Sequence, residues 1–418
     1  MPRSVETSLA GRALAAVREA SWADGGRVLA AALGLLAAHA WLRFTSLTGA
    51  DFAAADFMSF YAAGALAHGP SPADAYDMAA HLAAERSFQS GGTPPHTVFL
   101  YPPVALLVFA PLALLPYGAA FAAWVAAQAA LFVSALRATG AGWRSVACCA
   151  AFPALLQCGV MGQNAMLTAA LFAGGTALLA RGRPVLAGAV LGCLCYKPHL
   201  AVLLPVAMIA AREWRATFAT ACMAVFLCAG AAAAFGPDVW AGYLGSFAAN
   251  ASANYSALVP YQLYTSVLGA VRSMGGEAAW AGGAQAVSAM AAAASVWLIW
   301  RRTTRNSAAR PVSLIAGTML AVPVVMFYDL LAVTVCLCWL AADARRTGWL
   351  PWEKAVAAFC FMASFAAGMA GGLECLPVGP AVYTLLMVSA WRRAVRSPRR
   401  IRGAGGAPQD AMGSAAAA

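Results

Sequence analysis

Charge is scarce in this sequence. Of its 418 residues only 10% are Asp, Glu, Lys or Arg and 62% are hydrophobic, where an average soluble domain carries roughly 25% charged residues. So little charge cannot furnish a water-compatible surface, which excludes an ordinary soluble protein. Lysine is scarcer still, with Lys197 and Lys354 the only two. Metal-binding spacings are also missing. Most of the 11 cysteines lie inside apolar stretches, and the Cys193/Cys195 and Cys336/Cys338 pairs would face opposite sides of a helix, so neither pair chelates an ion locally. Residues 1–25 hold Arg3, Arg12, Arg18 and Asp24 but no apolar core ahead of a small-residue cleavage site, which is not the layout of a signal peptide. The excess of 27 Lys+Arg over 16 Asp+Glu does not indicate nucleic acid, because the basic residues punctuate apolar blocks instead of forming a patch.

What is present is a series of apolar blocks of about 13 to 22 residues, the pattern of helices crossing a bilayer with a hydrocarbon core about 30 Å thick. The expected fold is an all-α polytopic membrane protein. Crossings are expected at 26–47, 117–137, 145–158, 164–180, 184–196, 198–211, 216–235, 279–300, 312–326, 328–342, 353–371 and 376–391. Several fall short of ~17 residues and must be tilted, broken or merged. Residues 102–116, interrupted by Pro102, Pro103, Pro111 and Pro116, read as a re-entrant or juxtamembrane helix. With that segment not crossing, 23 of the 27 basic residues fall on one side, leaving Arg43, Arg86, Lys197 and Arg272 on the other. The bias identifies the first side as cytoplasmic. The expectation is therefore a multi-pass protein of the cytoplasmic membrane with both termini inside: segment 1–25, a transmembrane domain over 26–391, and a basic then disordered tail over 392–418.

Two outer segments, 48–101 and 236–278, are too long to be turns, and long loops in compact proteins tend to carry function. The first is rich in Asp51, Asp56, Asp74, Asp77, Glu85, His68, His81 and His96 among Tyr61, Tyr76 and Tyr101. Asp56 sits in AADFMSFYAAG. An acid at a membrane surface is most simply solvated, but Phe57, Phe60 and Tyr61 would seat it at the interface and favour a role as a base. Asp51 is its rival. Lys197, in GCLCYKPH, would either snorkel from a helix end or hold a phosphate as a point charge with His199 beside it. Asp329, in VVMFYDLLAV, is flanked by apolar runs on both sides, and its alternatives are a structural ion pair or a functional site assisted by Tyr328. Gly162-Gln163-Asn164 alone is a turn signal. All four positions fall on one face under a topology drawn from basic residues alone.

In their order, ADFMSFYAAG, PADAYD ending at Asp77, FLYPPVALLVFAPLALLPY, MGQN, RGRPVLAGAVLGCLCYKPH, YQLYTSVLGAVRSMGG and FYDLL resemble glycosyltransferase family 87, mannosyltransferase-like membrane enzymes of the GT-C superfamily. The resemblance runs from about residue 50 to residue 390. It implies a GT-C fold of about twelve transmembrane helices with juxtamembrane helices in the first outer loop. It further implies a polyprenyl-phosphate-sugar donor, a lipid or glycan acceptor, and an inverting reaction on the outer face without metal or cofactor. Carried over residue by residue, it makes Asp56 the general base. Lys197, His199 and Arg272 become candidates for the donor phosphate, and Gln163 and Asn164 for sugar hydroxyls. Asp51, Tyr61, Asp77, Tyr101, Tyr328 and Asp329 complete the substrate-binding candidates. A secondary transporter or lipid flippase is the competing reading, since its broken helices would look similar; no internal repeat supports it, and a non-catalytic assembly subunit ranks third.

Overall fold

The computed structural model of the chain describes residues 9–20, 26–27, 30–35, 38, 55–88, 99–252, 260–368 and 378–396. Among these every regular element is helical, apart from one isolated antiparallel bridge between Tyr264 and Met326. Four helices are long and apolar enough to cross a bilayer: Tyr117–Ala138, Trp214–Phe235, Ala278–Arg302 and Phe327–Thr347. Each runs 21 to 25 residues, and at 1.5 Å per residue that covers the hydrocarbon core. Tyr117–Ala138 shows why such a stretch is helical. It starts directly after Pro116, is dominated by Ala, and carries Arg137 in its last turn near the free carbonyls.

Proline breaks most of the others. Trp143–Ala150 and Pro153–Met161 form a pair bent by 58°, so the crossing expected at 145–158 is not a straight rod. Pro184–Tyr196, Pro198–Ala210 and Ala309–Ala321 are shorter apolar helices, as is Pro103–Leu112; the last, at about 15 Å, reaches half the hydrocarbon thickness. Against the twelve crossings expected, several of them tilted, broken or merged, the described residues hold four spanning helices, one bent pair and several short apolar helices. Pro184 and Pro198 stand where crossings were expected to begin, whereas hydropathy does not register the break that Pro153 imposes inside the block expected at 145–158. The crossing expected at 26–47 falls, apart from fragments, outside the described residues, as do Asp51, His96 and the tail beyond Arg396, while 392–396 continue the Val378–Arg396 helix.

Close packing rests on small residues. Pro184–Gly192 lies along Trp214–Phe235, and a Cβ at Gly192 would come within 2.7 Å of the Thr220 carbonyl oxygen. Gly188 and Gly192, four apart, let the two backbones meet. The outward side of Trp214–Phe235 is apolar, with Phe218 73% and Phe226 69% exposed, a surface suited to lipid and not to water.

Two apolar clusters result. The larger one joins the helices from Phe132 to Ala394, and the smaller is aromatic, built from Phe57, Phe60, Phe99, Phe109 and Trp124. Ala165–Ala180 and Phe327–Thr347 define the two ends of the bundle. Asn164 and Asp329 stand at their N-terminal ends, and Arg181, Arg345 and Arg346 at their C-terminal ends.

Candidate functional site

Asp56 occupies the first turn of the Ala55–Leu66 helix, where the helix dipole favours a carboxylate. It is half-buried. The neighbouring aromatics hold it differently from the expectation. Phe57 is completely buried and packs 5.5 Å from both Tyr117 and Phe121; Phe60 stacks on Phe109 at 4.6 Å. They lock the helix into the protein's own aromatic cluster instead of resting it on the membrane interface. Gln163 Nε2 donates a 2.8 Å hydrogen bond to Asp56 Oδ2.

The turn that carries Gln163 is tightly built. Gly162 has φ +71°, a left-handed conformation, and a Cβ there would sit 2.5 Å from the Phe57 Cβ, so both backbone and space call for glycine. Trp124 Nε1 donates to the Gly162 carbonyl at 2.8 Å and Gln128 Nε2 to the Gln163 carbonyl at 2.9 Å. The Cys158 thiol also reaches the Gln163 carbonyl, at 2.8 Å. Two side chains from the Tyr117–Ala138 helix therefore fix the turn from which Gln163 reaches Asp56.

Asn164, the next residue, leads to a buried ion pair. Lys197 stands between two short 3-10 turns and is 4% exposed; its Nζ donates to Asp329 Oδ1 at 2.7 Å and to Asn164 Oδ1 at 3.4 Å. It also lies 5.1 Å from the centre of the Tyr328 ring. Asp329 Oδ2 accepts the Met326 backbone N–H at 3.2 Å, so both carboxylate oxygens are engaged. Asn164 is completely buried, and its Nδ2 finds no hydrogen-bond partner of ordinary length among the described residues. Tyr101 stacks on Tyr196 at 6.3 Å and lies within electrostatic range of both Asp56 and Asp329, where desolvation pushes its phenol above the ordinary value. It stays a neutral donor. His199 is exposed beside Lys197, within range of Lys197 and Asp329.

Of the residues singled out in the sequence, Asp56, Tyr101, Gln163, Asn164, Lys197, Tyr328 and Asp329 come together, with His199 at the edge. Others do not join them. The Tyr61 hydroxyl donates to the Leu115 carbonyl at 2.9 Å, and Asp77 caps the Met78–Phe88 helix by accepting Ala80 N–H at 2.8 Å. Arg272 donates to the Gly276 carbonyl at 2.9 Å and stacks on Tyr261 at 4.9 Å. Sequence reasoning missed Gln128 and Tyr196, whose hydroxyl pairs with Thr168 at 2.6 Å, and gave Trp124 no role at the site. It also missed a buried cluster beneath the Asp56 helix, where His81 Nε2 meets Ser59 Oγ at 3.1 Å and Glu85 Oε1 at 3.3 Å. The signal there was His81 and Glu85 at i,i+4 on one helix face. No group of three or more His, Cys, Asp or Glu is placed to hold a metal ion among the described residues.

Comparison with known families gives one match: the model of glycosyltransferase family 87 covers residues 99–323, more than half of the chain. The matched stretch contains Tyr101, Gln163, Asn164, Lys197, His199 and Arg272, begins after Asp56 and ends before Asp329. No curated protein and no solved structure matches the chain.

Proposed function

The chain belongs to glycosyltransferase family 87 and is a membrane glycosyltransferase, and from that premise we propose that it moves a hexose, mannose foremost, or a pentose from a polyprenyl-phosphate-sugar to a lipid or glycan acceptor. The reaction is assigned to the outer face of the cytoplasmic membrane, with inversion at the sugar and with Asp56 as general base. One observation carries this reading. The Gln163-Asn164 pair ties the Asp56 carboxylate on one side to the Lys197–Asp329 ion pair on the other, so a proton acceptor and a cation belong to one hydrogen-bonded polar network.

The chemistry follows from that juxtaposition. An acceptor hydroxyl held at Asp56 gives its proton to the carboxylate as its oxygen attacks the anomeric carbon. On the opposite face of the sugar the bond from that carbon to the phosphate oxygen breaks, and the electron pair leaves on the lipid phosphate. The Lys197 ammonium has three N–H donors, of which Asp329 and Asn164 take two, and the remaining donor with His199 would meet the growing negative charge. Asn164 Nδ2, buried and with no hydrogen-bond partner of ordinary length among the described residues, would satisfy itself on a sugar hydroxyl or phosphate oxygen. No enzyme nucleophile is needed for a single displacement. The outer-face assignment rests on the basic residues gathered at the opposite end, about 24 Å away along the 16 residues of Ala165–Ala180.

The test is transfer of radiolabelled mannose from polyprenyl-phosphate-mannose to endogenous acceptors in membranes holding wild type, Asp56→Ala or Asp51→Ala at matched levels. Transfer by wild type and Asp51→Ala but not by Asp56→Ala supports the proposal. Full activity in Asp56→Ala removes its role as base, and a wild type silent with mannose, arabinose and glucose donors removes the proposed donor class.

A further inference from the structure

The end of the bundle opposite Asp56 holds a cavity that the transfer reaction does not use. Its volume is about 340 Å³, and its lining includes Thr139, Arg181, Asn306, Arg345 and Arg346 around the indole of Trp339. Those residues come from three helix C-termini and one connecting loop, so sequence proximity does not explain their convergence. Three guanidinium groups on one small cavity is a concentration of like charge that normally repels. The rest of the same end behaves differently. Arg305 and Arg310 are paired with Glu213 at 2.5 and 3.3 Å, and Arg393 with Glu353 at 2.5 Å.

The cavity arginines are not neutralised in that way. Among the described residues the one acid beside them is Asp343, which binds Arg346 at 2.9 Å and is shared with Arg393. Arg181 donates to the Ala138 carbonyl at 2.8 Å and Arg346 to the Asn306 carbonyl at 3.1 Å; these neutral oxygens orient the side chains without cancelling their charge. Arg345 lies over Gly142, where a Cβ would sit 2.5 Å from its Nη1. Glycine at that position leaves the guanidinium room to settle against the backbone. All three are exposed at this end of the bundle, yet they converge on one half-open depression instead of dispersing over the surface, as basic residues that only set topology do.

We propose that this cavity is a binding site for a phosphate-bearing anion, recognised by the Arg181, Arg345 and Arg346 guanidinium groups. Guanidinium forks match phosphate oxygens bidentately, and the position, at helix ends about one bilayer thickness from the Asp56 site, suits the phosphodiester of an anionic phospholipid in the adjacent leaflet. The same chemistry would accept free inorganic phosphate. The proposal does not depend on the transferase reading, because its readout is binding.

The experiment uses the full chain purified in detergent, then delipidated and reconstituted in nanodiscs of phosphatidylcholine alone or with phosphatidylglycerol. Native mass spectrometry counts retained phosphatidylglycerol, and thermal melting follows stabilisation by phosphatidylglycerol or by millimolar inorganic phosphate. Wild type should retain the anionic lipid, and Arg181→Gln with Arg345→Gln should weaken its binding roughly tenfold or more. Lysine at both positions should restore much of it, and Arg302→Gln, at an exposed position that does not line the cavity, should match wild type. Stabilisation by inorganic phosphate in phosphatidylcholine discs, lost in the double variant, would keep the anion site and assign it to the free ion. Equal retention of lipid and equal response to phosphate in wild type and the double glutamine variant would overturn the site. Arg345→Gln alone, whose side chain forms no ion pair among the described residues, keeps the test decisive should the double variant fold poorly.

Discussion

The two ends of this helix bundle bury charge in different ways. At the Arg-rich end, Glu213 receives Arg305 through both carboxylate oxygens, and Glu353 receives Arg393 through both of its own, at 2.6 and 2.5 Å. Guanidinium forks facing carboxylates in this geometry leave little hydrogen-bonding capacity over. At the other end the Lys197–Asp329 pair sets a lysine, a point charge with freely rotating donors, against one aspartate. The Glu213 and Glu353 forks are complete without a ligand. The Lys197–Asp329 arrangement retains an ammonium donor, an Asn164 Nδ2 without a hydrogen-bond partner of ordinary length among the described residues and a half-buried Asp56, which is how a site differs from a strut.

The sharpest way to break that comparison is to remove one carboxylate charge from each end. Asp56→Asn keeps the shape and the Gln163 contact but cannot take a proton, and transfer per folded molecule should fall by about 10²- to 10⁴-fold with an unchanged melting temperature. Glu213→Gln strands Arg310, itself 2% exposed, and should cost about 3–5 kcal/mol of stability, read as lower abundance and an earlier melt, while the activity of the surviving folded enzyme stays near wild type. If Glu213→Gln lost turnover without losing stability, the distinction between the ends would collapse.

The Lys197–Asp329 pair sharpens it further, because it belongs to both categories. Lys197→Met leaves Asp329 buried without its cation, so it should lose stability as well as donor binding, by about 3 kcal/mol or more. Adding Asp329→Asn removes the stranded charge and should recover most of the stability. Activity should not recover with it. Melting curves and transfer rates of the two single variants and the double variant separate these outcomes, and recovery of both together would make the pair a structural device alone.

Much of this site was legible because an apolar sequence makes its few polar residues conspicuous. Asp56, Lys197, Asp329 and the Gln163-Asn164 turn each stood out against hydrophobic surroundings, and a topology drawn from arginines put them on one face. What no local pattern contained was their pairing: Lys197 and Asp329 are 132 residues apart and Asp56 and Gln163 are 107 apart. Gln128 was invisible for another reason, since a lone glutamine in an alanine-rich helix signals nothing until its partner is known. Tyr61 and Asp77 show the converse. Their composition suggested a site, but a tyrosine in an aromatic cluster and an aspartate before a helix have satisfying structural partners close by. The straightness of each crossing was less legible, because Pro153 turns one apolar block into two short helices bent by 58°.

The smallest expected effect tests how Asp56 is held. Gln163 contributes one hydrogen bond to the carboxylate, while Gln128 contributes none and acts only through the Gln163 carbonyl. Gln163→Leu should therefore lower kcat by about tenfold or more, since misplacing a reacting group by an ångström can cost up to about a hundredfold, with KM for the donor nearly unchanged. Gln128→Leu leaves the contact to Asp56 in place and loses one buried hydrogen bond, of about 1 kcal/mol, so its kcat should fall a few-fold at most. The order of the two is the informative part. A purely packing role for the turn would make them alike, moving abundance and KM together, because Gln128 at 1% exposed is even more deeply buried than Gln163 at 6%. A larger kcat loss in Gln163→Leu at equal abundance would instead make carboxylate orientation the quantity this turn controls.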